Sequence, residues 1–399
     1  MKRNWEYKKL GDVCTDVTDF VAAGSFANLR KNVVYNSEQD YAQLIRTTDL
    51  KRKFLNNDFV YVSKSAFEYL WRVNLDKACV VLPNVGNCGE VYYVSPEMLP
   101  YKNNVLAPNS ILVRSYTENQ RFLAYAFQGL DFQLQLKTIT GTVAQPKFNK
   151  TNLKNLIIPI PPLDEQSRIV AELDLLTGII DKQNTQLKEL DNLAQAIFYD
   201  MFGDPIENPK GWEVKKFDEL CVLITDGEHA TPKRCASGIY LLSARNVHNH
   251  HLVLDDVDFI DDEEYSRISK RIVPQKGDVL ISCSGSVGRV CVAPDIKFQM
   301  VRSVALLRLD ETRLNTRFFE YLVCSDYVQK QIDDSKVQVA QANLFQGRIK
   351  ALKGILPPLA LQQSFAEKIQ SIEKQKEAIR ASIADTQKLL DYTMDKYFG

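Results

Sequence analysis

The chain has 399 residues, 45% of them hydrophobic and 25% charged, with 50 Lys+Arg set against 50 Asp+Glu. The length exceeds one core and the composition excludes global disorder, so two or more domains are expected. No run of about 18 apolar residues is present, and the opening MKRNWEYKK has no apolar signal core, which argues against a membrane span and against secretion.

The charge is unevenly placed. Residues 1–160 carry 20 Lys+Arg and 14 Asp+Glu, a net +6; residues 161–203 carry 3 and 8, a net −5. Residues 204–356 hold 21 and 22, and residues 357–399 hold 6 and 6. A neutral total therefore leaves room for a basic surface, most clearly in the first segment. The acidic run 255–264 (DDVDFIDDEE) reads as a solvated face. Cys14, Cys79, Cys88, Cys221, Cys235, Cys283, Cys291 and Cys324 form no CxxC pair and are expected as free thiols in a reducing cytoplasm.

In chain order, the first segment is mixed. KACVVLPNVGNCGEVYYV (77–94) alternates as two strands around a Gly86/Gly89 turn, and RFLAYAFQ (121–128) reads as a short helix. The phrase IPPLDEQ (160–166) follows. Its prolines end a strand, with Asp164 as the expected N-cap and Glu165 in the first helical turn. Ile169, Leu173, Leu176, Ile180, Gln183, Leu187, Leu190, Ala194, Ile197 and Met201 then recur in steps of four and three, a heptad seam with one polar member. Gly203 stops the helix.

Everything then happens again. Residues 121–203 overlay 317–399 at an offset of 196: Arg121, Phe122 and Tyr125 fall on Arg317, Phe318 and Tyr321, and PPL 161–163 falls on PPL 357–359. Upstream, Arg46, Gly86 and Gly89 meet Arg245, Gly285 and Gly288 at an offset of 199, and WEYKKLGDVC (5–14) meets WEVKKFDELC (212–221) at 207. The second heptad seam runs through Phe365, Ile369, Ile372, Lys376, Ile379, Ile383, Thr386, Leu390, Thr393 and Tyr397 and has three polar members. Its start, Ala360-Leu361, lacks a clear cap. The chain is thus an internal duplication of a mixed domain followed by a long helix. The expected segments are 1–160, 161–204, 205–356 and 357–399. If the helices pair, an antiparallel arrangement relates the two copies by a pseudo-twofold, whereas a parallel one crowds both at one end. Because Trp212 lies ten residues after Phe202, Trp5 is expected beside Phe398.

No catalytic motif stands out. GSVG lacks the GK[ST] ending of a P-loop, and GxSxG, HExxH and [DN]PP[YF] are absent. Pro294-Asp295 opens no nuclease motif. The four histidines, His229, His248, His250 and His251, have no cysteine or carboxylate spacing that suggests a metal and read as solvated or nucleic-acid-facing loop residues. What recurs is polar, amide-rich, basic loops, whose Arg, Asn, Gln and Thr suit base edges and whose Lys and Gly suit phosphates. The candidate DNA-binding residues are Arg46, Thr47, Lys51, Asn84, Asn87, Thr140, Thr142, Gln145 and Lys147 in the first repeat. In the second they are Asp226, His229, Thr231, Lys233, Arg245, Asn246, Ser284, Ser286, Arg302, Gln341 and Asn343. The candidate coiled-coil interface is Leu173, Leu176, Ile180, Leu187, Leu190, Ile369, Ile372, Ile379, Ile383 and Leu390.

The PPLxxQ phrase with its helix (160–203, 356–399), TDGEHATP (225–232), KGDVLISCSGSVG (276–288) and ITGTVAQPKFNKTNLKNLIIPIPPLDEQ (139–166) together resemble the specificity subunit of a type I restriction-modification system over essentially the whole chain. The resemblance implies an α+β protein with two globular target-recognition domains, joined by two long helices in an antiparallel coiled coil with pseudo-twofold symmetry. It implies that each domain reads one half of a split double-stranded DNA target and that the coiled coil sets the spacing. It also implies two modification (methyltransferase) subunits and restriction (nuclease/translocase) subunits as partners, a cytoplasmic location, and S-adenosylmethionine, ATP and Mg on those partners and not on this chain. Two departures matter: position 337 is Val where the first repeat has Gly141, and the first repeat has no DGxHxTP stretch, so its contacting loop must differ. The rival readings are a coiled-coil scaffold that binds only proteins, and the recognition part of a methyltransferase-nuclease whose catalytic part lies elsewhere.

Overall fold

A computed structural model describes residues 5–141, 146–336 and 343–399. The chain divides into two compact units, Met1–Gln183 with Ser382–Gly399, and Asn184–Ala381. Two 40-residue helices, Leu163–Phe202 and Leu359–Phe398, each contribute to both units.

In the first unit the strands are β1 (Glu6–Lys9), β2 (Asp16–Asp19), β3 (Ala42–Ile45), β4 (Val60–Val62), β5 (Cys79–Pro83), β6 (Tyr92–Val94), β7 (Asn104–Leu106), β8 (Ser110–Arg114) and β9 (Ile157–Ile160). They form a four-stranded sheet β2-β8-β5-β6, a three-stranded sheet β4-β3-β7 and the pair β1-β9. β3 runs antiparallel to β4 and parallel to β7. One face of the larger sheet buries the helix Gln120–Gln128, with Phe122, Phe127 and Phe132 almost wholly enclosed. Each such ring contributes about 2–3 kcal/mol of burial. Ile169, Leu173, Tyr397 and Phe398 of the long helices close the same core.

The second unit has β10 (Glu213–Lys216), β11 (Cys221–Asp226), β12 (Ile239–Leu242), β13 (Val247–His248), β14 (His251–Leu252), β15 (Asp258–Ile260), β16 (Val279–Ser282), β17 (Val290–Val292), β18 (Phe298–Met300), β19 (Val304–Leu309) and β20 (Lys353–Leu356). Its sheets are β11-β19-β16-β17, β15-β12-β18 and β10-β20, plus the hairpin β13-β14. Strand for strand, the first three repeat the order of the first unit, with the same parallel pair in the middle sheet. The helix Thr316–Cys324 stands where Gln120–Gln128 does, and Phe198, Phe202, Phe318 and Phe365 meet with ring centroids 4.7–5.9 Å apart. Duplication of the domain is therefore a property of the fold as well as of the sequence.

The glutamine of PPLxxQ has a defined task. Gln166 and Gln362 are both fully buried. Gln166 donates from Nε2 to the Pro161 carbonyl (2.9 Å) and to Glu118 (2.6 Å) and accepts the Asn119 N–H (3.0 Å). Gln362 donates to the Pro357 and Arg313 carbonyls (2.7 and 3.0 Å) and accepts the Asn315 N–H (2.8 Å). Asn119 and Asn315 are themselves the N-caps of the two short helices. One buried amide thus ties the first turn of each long helix to the cap of the short helix beneath it. The first proline of each pair gives its carbonyl to the glutamine side chain, and the second gives its carbonyl to the glutamine's backbone N–H. Helix starts differ from the sequence expectation: both begin at the leucine of PPL, so Asp164 lies inside the first turn and not at the cap. There it still complements the helix dipole.

Within each unit, early residues of the first long helix meet late residues of the second. In the first unit Arg168 and Glu172 reach Tyr397 (3.2 and 2.6 Å), and Gln183 reaches Ser382 (2.6 Å). In the second unit Lys376 meets Asp191 at 2.7 Å. Both stretches are antiparallel. Leu173, Leu176, Ile369 and Ile372 are buried, and Ile180, Leu187, Leu190, Ile379, Ile383 and Leu390 are half-buried. The polar heptad member Lys376 is only 1% exposed, held by Asp191 and Glu373. Gly203 closes the first helix at φ +78, a left-handed C-terminal stop. Trp212 donates its indole N–H to the Phe202 carbonyl (2.8 Å), and Trp5 stacks on Tyr397 at 6.4 Å beside Phe398, as the repeat requires. All eight cysteines are free.

Candidate nucleic-acid interface

The last residues of β2 and β11 read VTD (17–19) and ITD (224–226), and they hold equivalent registers: Asp19 pairs with Ile111 and Asp226 with Ala305. Beyond them the two repeats diverge, and there each unit has a groove.

In the second unit an open groove of about 740 Å³ is lined by Asp226, His229, Ser284, Arg302, Asn343 and Phe345, among others. Five residues singled out from four separate segments of the sequence thus come together. The backbone explains why. Gly227 donates to Val304 O (3.0 Å), Glu228 to Met300 O (2.9 Å), and Arg302 back to Glu228 O (2.9 Å). A Cβ on Gly227 would lie 2.4 Å from the carbonyls of Met300 and Val301, so only glycine lets the TDGEH segment lie this close to the β18–β19 turn. Asp226 accepts from His229 (2.8 Å) and Arg271 (2.6 Å), which fixes one wall.

In the first unit the same sheet end carries Phe20 where the second has Gly227, and the chain folds into a 3-10 turn, Phe20–Ala23, followed by the helix Phe26–Asn32. Its groove, about 310 Å³, is lined by Val21, Phe26, Arg30, Tyr35, Asn84 and Asn109, among others. Phe26 is 76% exposed, an unusual position for a phenylalanine. Of the sequence-derived candidates among the described residues only Asn84 lines this groove; Val21, Phe26, Arg30, Tyr35 and Asn109 were not among the candidates. The available signal was the point at which the VTD/ITD correspondence breaks, followed by the helix-capping Ser25 and an apolar residue left outside any periodicity.

Other candidates are committed elsewhere. Arg46 binds the buried Asp49 through two atoms and also reaches Asp58; Arg245 binds the Asp256 carbonyl (2.9 Å) and Asp258 (3.1 Å). Partial burial raises the Asp258 pKa, but Arg234 and Arg245 outweigh it and hold the carboxyl below its ordinary value. Lys51 pairs with Glu90. Asn246 is 1% exposed, its amide spent on Ser243 N–H and on the Val253 and Asp256 carbonyls. Asn84 donates to Phe148 O, and Thr140 turns its hydroxyl into its own helix. Thr47 is half-buried; Asn87, Lys147, Thr231, Lys233 and Ser286 are exposed outside the grooves. Thr142, Gln145 and Gln341 lie outside the described residues.

Two expectations about the second unit are corrected. The run 255–264 is not simply a solvated face: Asp261 caps the helix Asp262–Ser269, and the buried Glu264 binds Arg267 (2.9 Å) and the Lys233 N–H (3.1 Å). His250 is not a solvated loop residue either. It stacks on Tyr321 at 4.2 Å, 3.6 Å from the wholly buried Glu320 and 3.7 Å from Cys324. Burial disfavours its charged form, but Cys324 and Glu320 outweigh that and raise its pKa to about 10. Burial likewise opposes ionisation of Glu320, and His250 with Arg317 (2.8 Å) lowers its pKa on balance. These groups tie the β13–β14 hairpin to the helix Thr316–Cys324 and serve packing. Among the described residues no group of three or more metal-ligating side chains converges, and no helix is long and apolar enough to cross a membrane.

A family model described as "Type I restriction modification DNA specificity domain" matches residues 2–192 and 209–385. The type I restriction enzyme MjaVIII specificity subunit of Methanocaldococcus jannaschii is 23% identical over 256 residues, 60% of each chain. The MjaIX specificity subunit of the same organism is 22% identical over 401 residues, 93% of this chain and 87% of that one. Among solved structures, the type-I restriction-modification system S subunit from M. genitalium superposes with a TM-score of 0.58 at 14% identity, covering 99% of this chain and 96% of that one. At that identity it speaks for the fold alone.

Proposed function

The chain belongs to the type I restriction-modification DNA specificity family, and from that premise we propose that it is a DNA-recognition subunit whose two grooves each read one half of a split duplex target. The observation that carries this reading is the pairing of a constant frame with variable grooves. Strand order, glutamine ties and helix ends repeat, while the two grooves share Asp19 and Asp226 and are otherwise lined largely from different segments of the repeat. That is the pattern expected of two reading heads with different preferences on one scaffold. The target-recognition domains are assigned to 1–160 and 205–356, and the conserved helices to 161–204 and 357–399. A helix of 40 residues spans roughly 60 Å, long enough to serve as the spacer between half-sites.

In this reading the chain is non-catalytic and cytoplasmic. Two modification subunits dock on the helices and restriction subunits join them, and S-adenosylmethionine, ATP and Mg act on those partners. Arg46 and Arg245, each held by its own domain's carboxylates, position recognition loops instead of contacting bases. A protein-only scaffold is disfavoured by the family match and by grooves that gather arginine, histidine and amide groups. The test is duplex binding by the chain with its modification partner across salt concentrations. Affinity that depends on both site and salt is expected; affinity indifferent to both would end the reading.

A further inference from the structure

We propose that Arg302 is the specificity-determining residue of the second groove and reads a guanine in the second half-site. The inference rests on the DNA-recognition reading above and deepens it.

Arg302 differs from the other arginines around it. Arg234, Arg245, Arg267 and Arg271 are each bound to a carboxylate of the same unit. Arg302 is exposed, lines the groove, and has no side-chain partner among the described residues. Its backbone is the opposite of free. The turn Val301–Ser303 joins β18 to β19, is closed by Val304 N–H on Val301 O (3.0 Å), and is bracketed by Gly227, Glu228 and Arg302 through three backbone bonds. Ser303 Oγ further accepts the Ala244 N–H (3.0 Å). The backbone that roots Arg302 is thus held in place, while its guanidinium, unpaired among the described residues, keeps its whole planar donor fork available to a ligand.

The chemistry selects the ligand. A planar fork of N–H donors matches the O6 and N7 acceptors that guanine offers in the major groove, whereas adenine presents one acceptor and one donor there. The neighbours fit a base edge better than a phosphate. Asp226, held by His229 and Arg271, stands in the same groove, and a carboxylate there disfavours a phosphate. The first unit supplies the internal control. By the register of β8 and β19, the position of Arg302 is occupied by Pro108, which has no donor at all. The two heads therefore have different base preferences at this point, and the TDGEH glycine acquires a reason: it clamps the turn that carries the reader.

The test uses the complete chain with its modification subunits and duplexes bearing the split motif that the wild-type complex methylates, each base pair replaced in turn. Arg302→Ala is expected to lower affinity for the motif about 10- to 100-fold and to abolish discrimination at one G·C pair of one half, leaving the other half unchanged. Arg302→Lys keeps the charge but loses the fork and is expected to reproduce the loss of discrimination without changing the salt slope. Uniform weakening over all duplexes with a salt slope lower by about one, rescued by lysine, would mean a phosphate contact and overturn the proposal. So would unchanged discrimination in both variants. Absence of any split motif for the wild type would instead reject the DNA reading on which the proposal stands.

Discussion

The two grooves occupy the same end of the same sheet and share an aspartate, yet they are weighted differently. The first is lined mainly by Phe20, Leu29, Phe26, Val21 and Tyr35, with Arg30 and Asn84 beside them; the second sets Asp226, His229, Ser284, Asn343 and Arg302 beside Leu344 and Phe345. The divergence begins at one residue. After Asp19 comes Phe20, which is buried and starts a new turn and helix; after Asp226 comes Gly227, whose missing Cβ lets the chain hug the next hairpin. A frame can therefore be copied while its reading surface is rebuilt, provided the ties that hold the frame lie elsewhere.

The comparison can be broken most severely at those ties. Replacing Gln362 by Leu orphans the Asn315 N–H and the Arg313 and Pro357 carbonyls in a dry site, and is expected to cost about 3 kcal/mol. Gln166→Leu should cost a similar amount, because two of its three bonds are the same and the third goes to the Glu118 carboxylate in place of a backbone carbonyl. Urea unfolding of both variants checks this. A large loss from one and none from the other would mean that the two frames are not held alike.

Next comes the glycine. Gly227→Ala forces a contact with two carbonyls at 2.4 Å and is expected to destabilise by about 2 kcal/mol. It should also blur recognition of the second half-site while leaving the first intact, as read by methylation of split duplexes. Equal loss at both halves would contradict the local clamp.

The third difference is electrostatic and belongs to the second unit alone, since Ala124 stands at the repeat position of Glu320. The folded pKa of His250, about 10, lies above its ordinary 6.5. Its contribution is thus fully present below about pH 6.5 and lost as pH rises toward 10. Glu320, shifted down, contributes above the usual carboxylate range and loses that contribution as pH falls through it. Stability should fall by on the order of 1–2 kcal/mol between about pH 6.5 and 8, and His250→Gln should flatten that limb. Melting curves across pH decide it.

The smallest expected effect on stability is at the first groove. Phe26→Ser removes an exposed ring and should change stability by less than about 0.5 kcal/mol, while weakening selectivity for the first half-site only. Comparison of half-site-substituted duplexes checks this.

The sequence made the frame legible because frames obey periodicities. Heptads, the Pro-Pro-Leu breaks and the 196-residue offset each leave a countable trace, and the paired helices, repeated sheets and placement of Trp5 followed from them. The grooves were half legible. In the second, separate polar loops converged because the hairpin and the TDGEH segment are stitched by backbone bonds that no side-chain pattern records. In the first, Phe26 and Tyr35 were invisible because an exposed aromatic looks like a misplaced core residue until its neighbours are known. Arg46, Arg245 and Asn246 carry the right chemistry for base edges, and nothing in the sequence signals that they also bind aspartates or backbone groups of their own unit. His250 looked like a loop histidine because its partners, Glu320 and Cys324, lie about seventy residues away in sequence and one helical turn apart from each other.

The central claim is that one chain carries two unlike reading heads on one repeated frame. Methylome sequencing of cells carrying this chain with its modification subunits tests it most directly. The account predicts one methylated motif with two different specified halves separated by an unspecified spacer, and the loss of specificity in one half alone when Arg302 is replaced. A continuous motif, two identical halves, or no methylation dependent on this chain would contradict it.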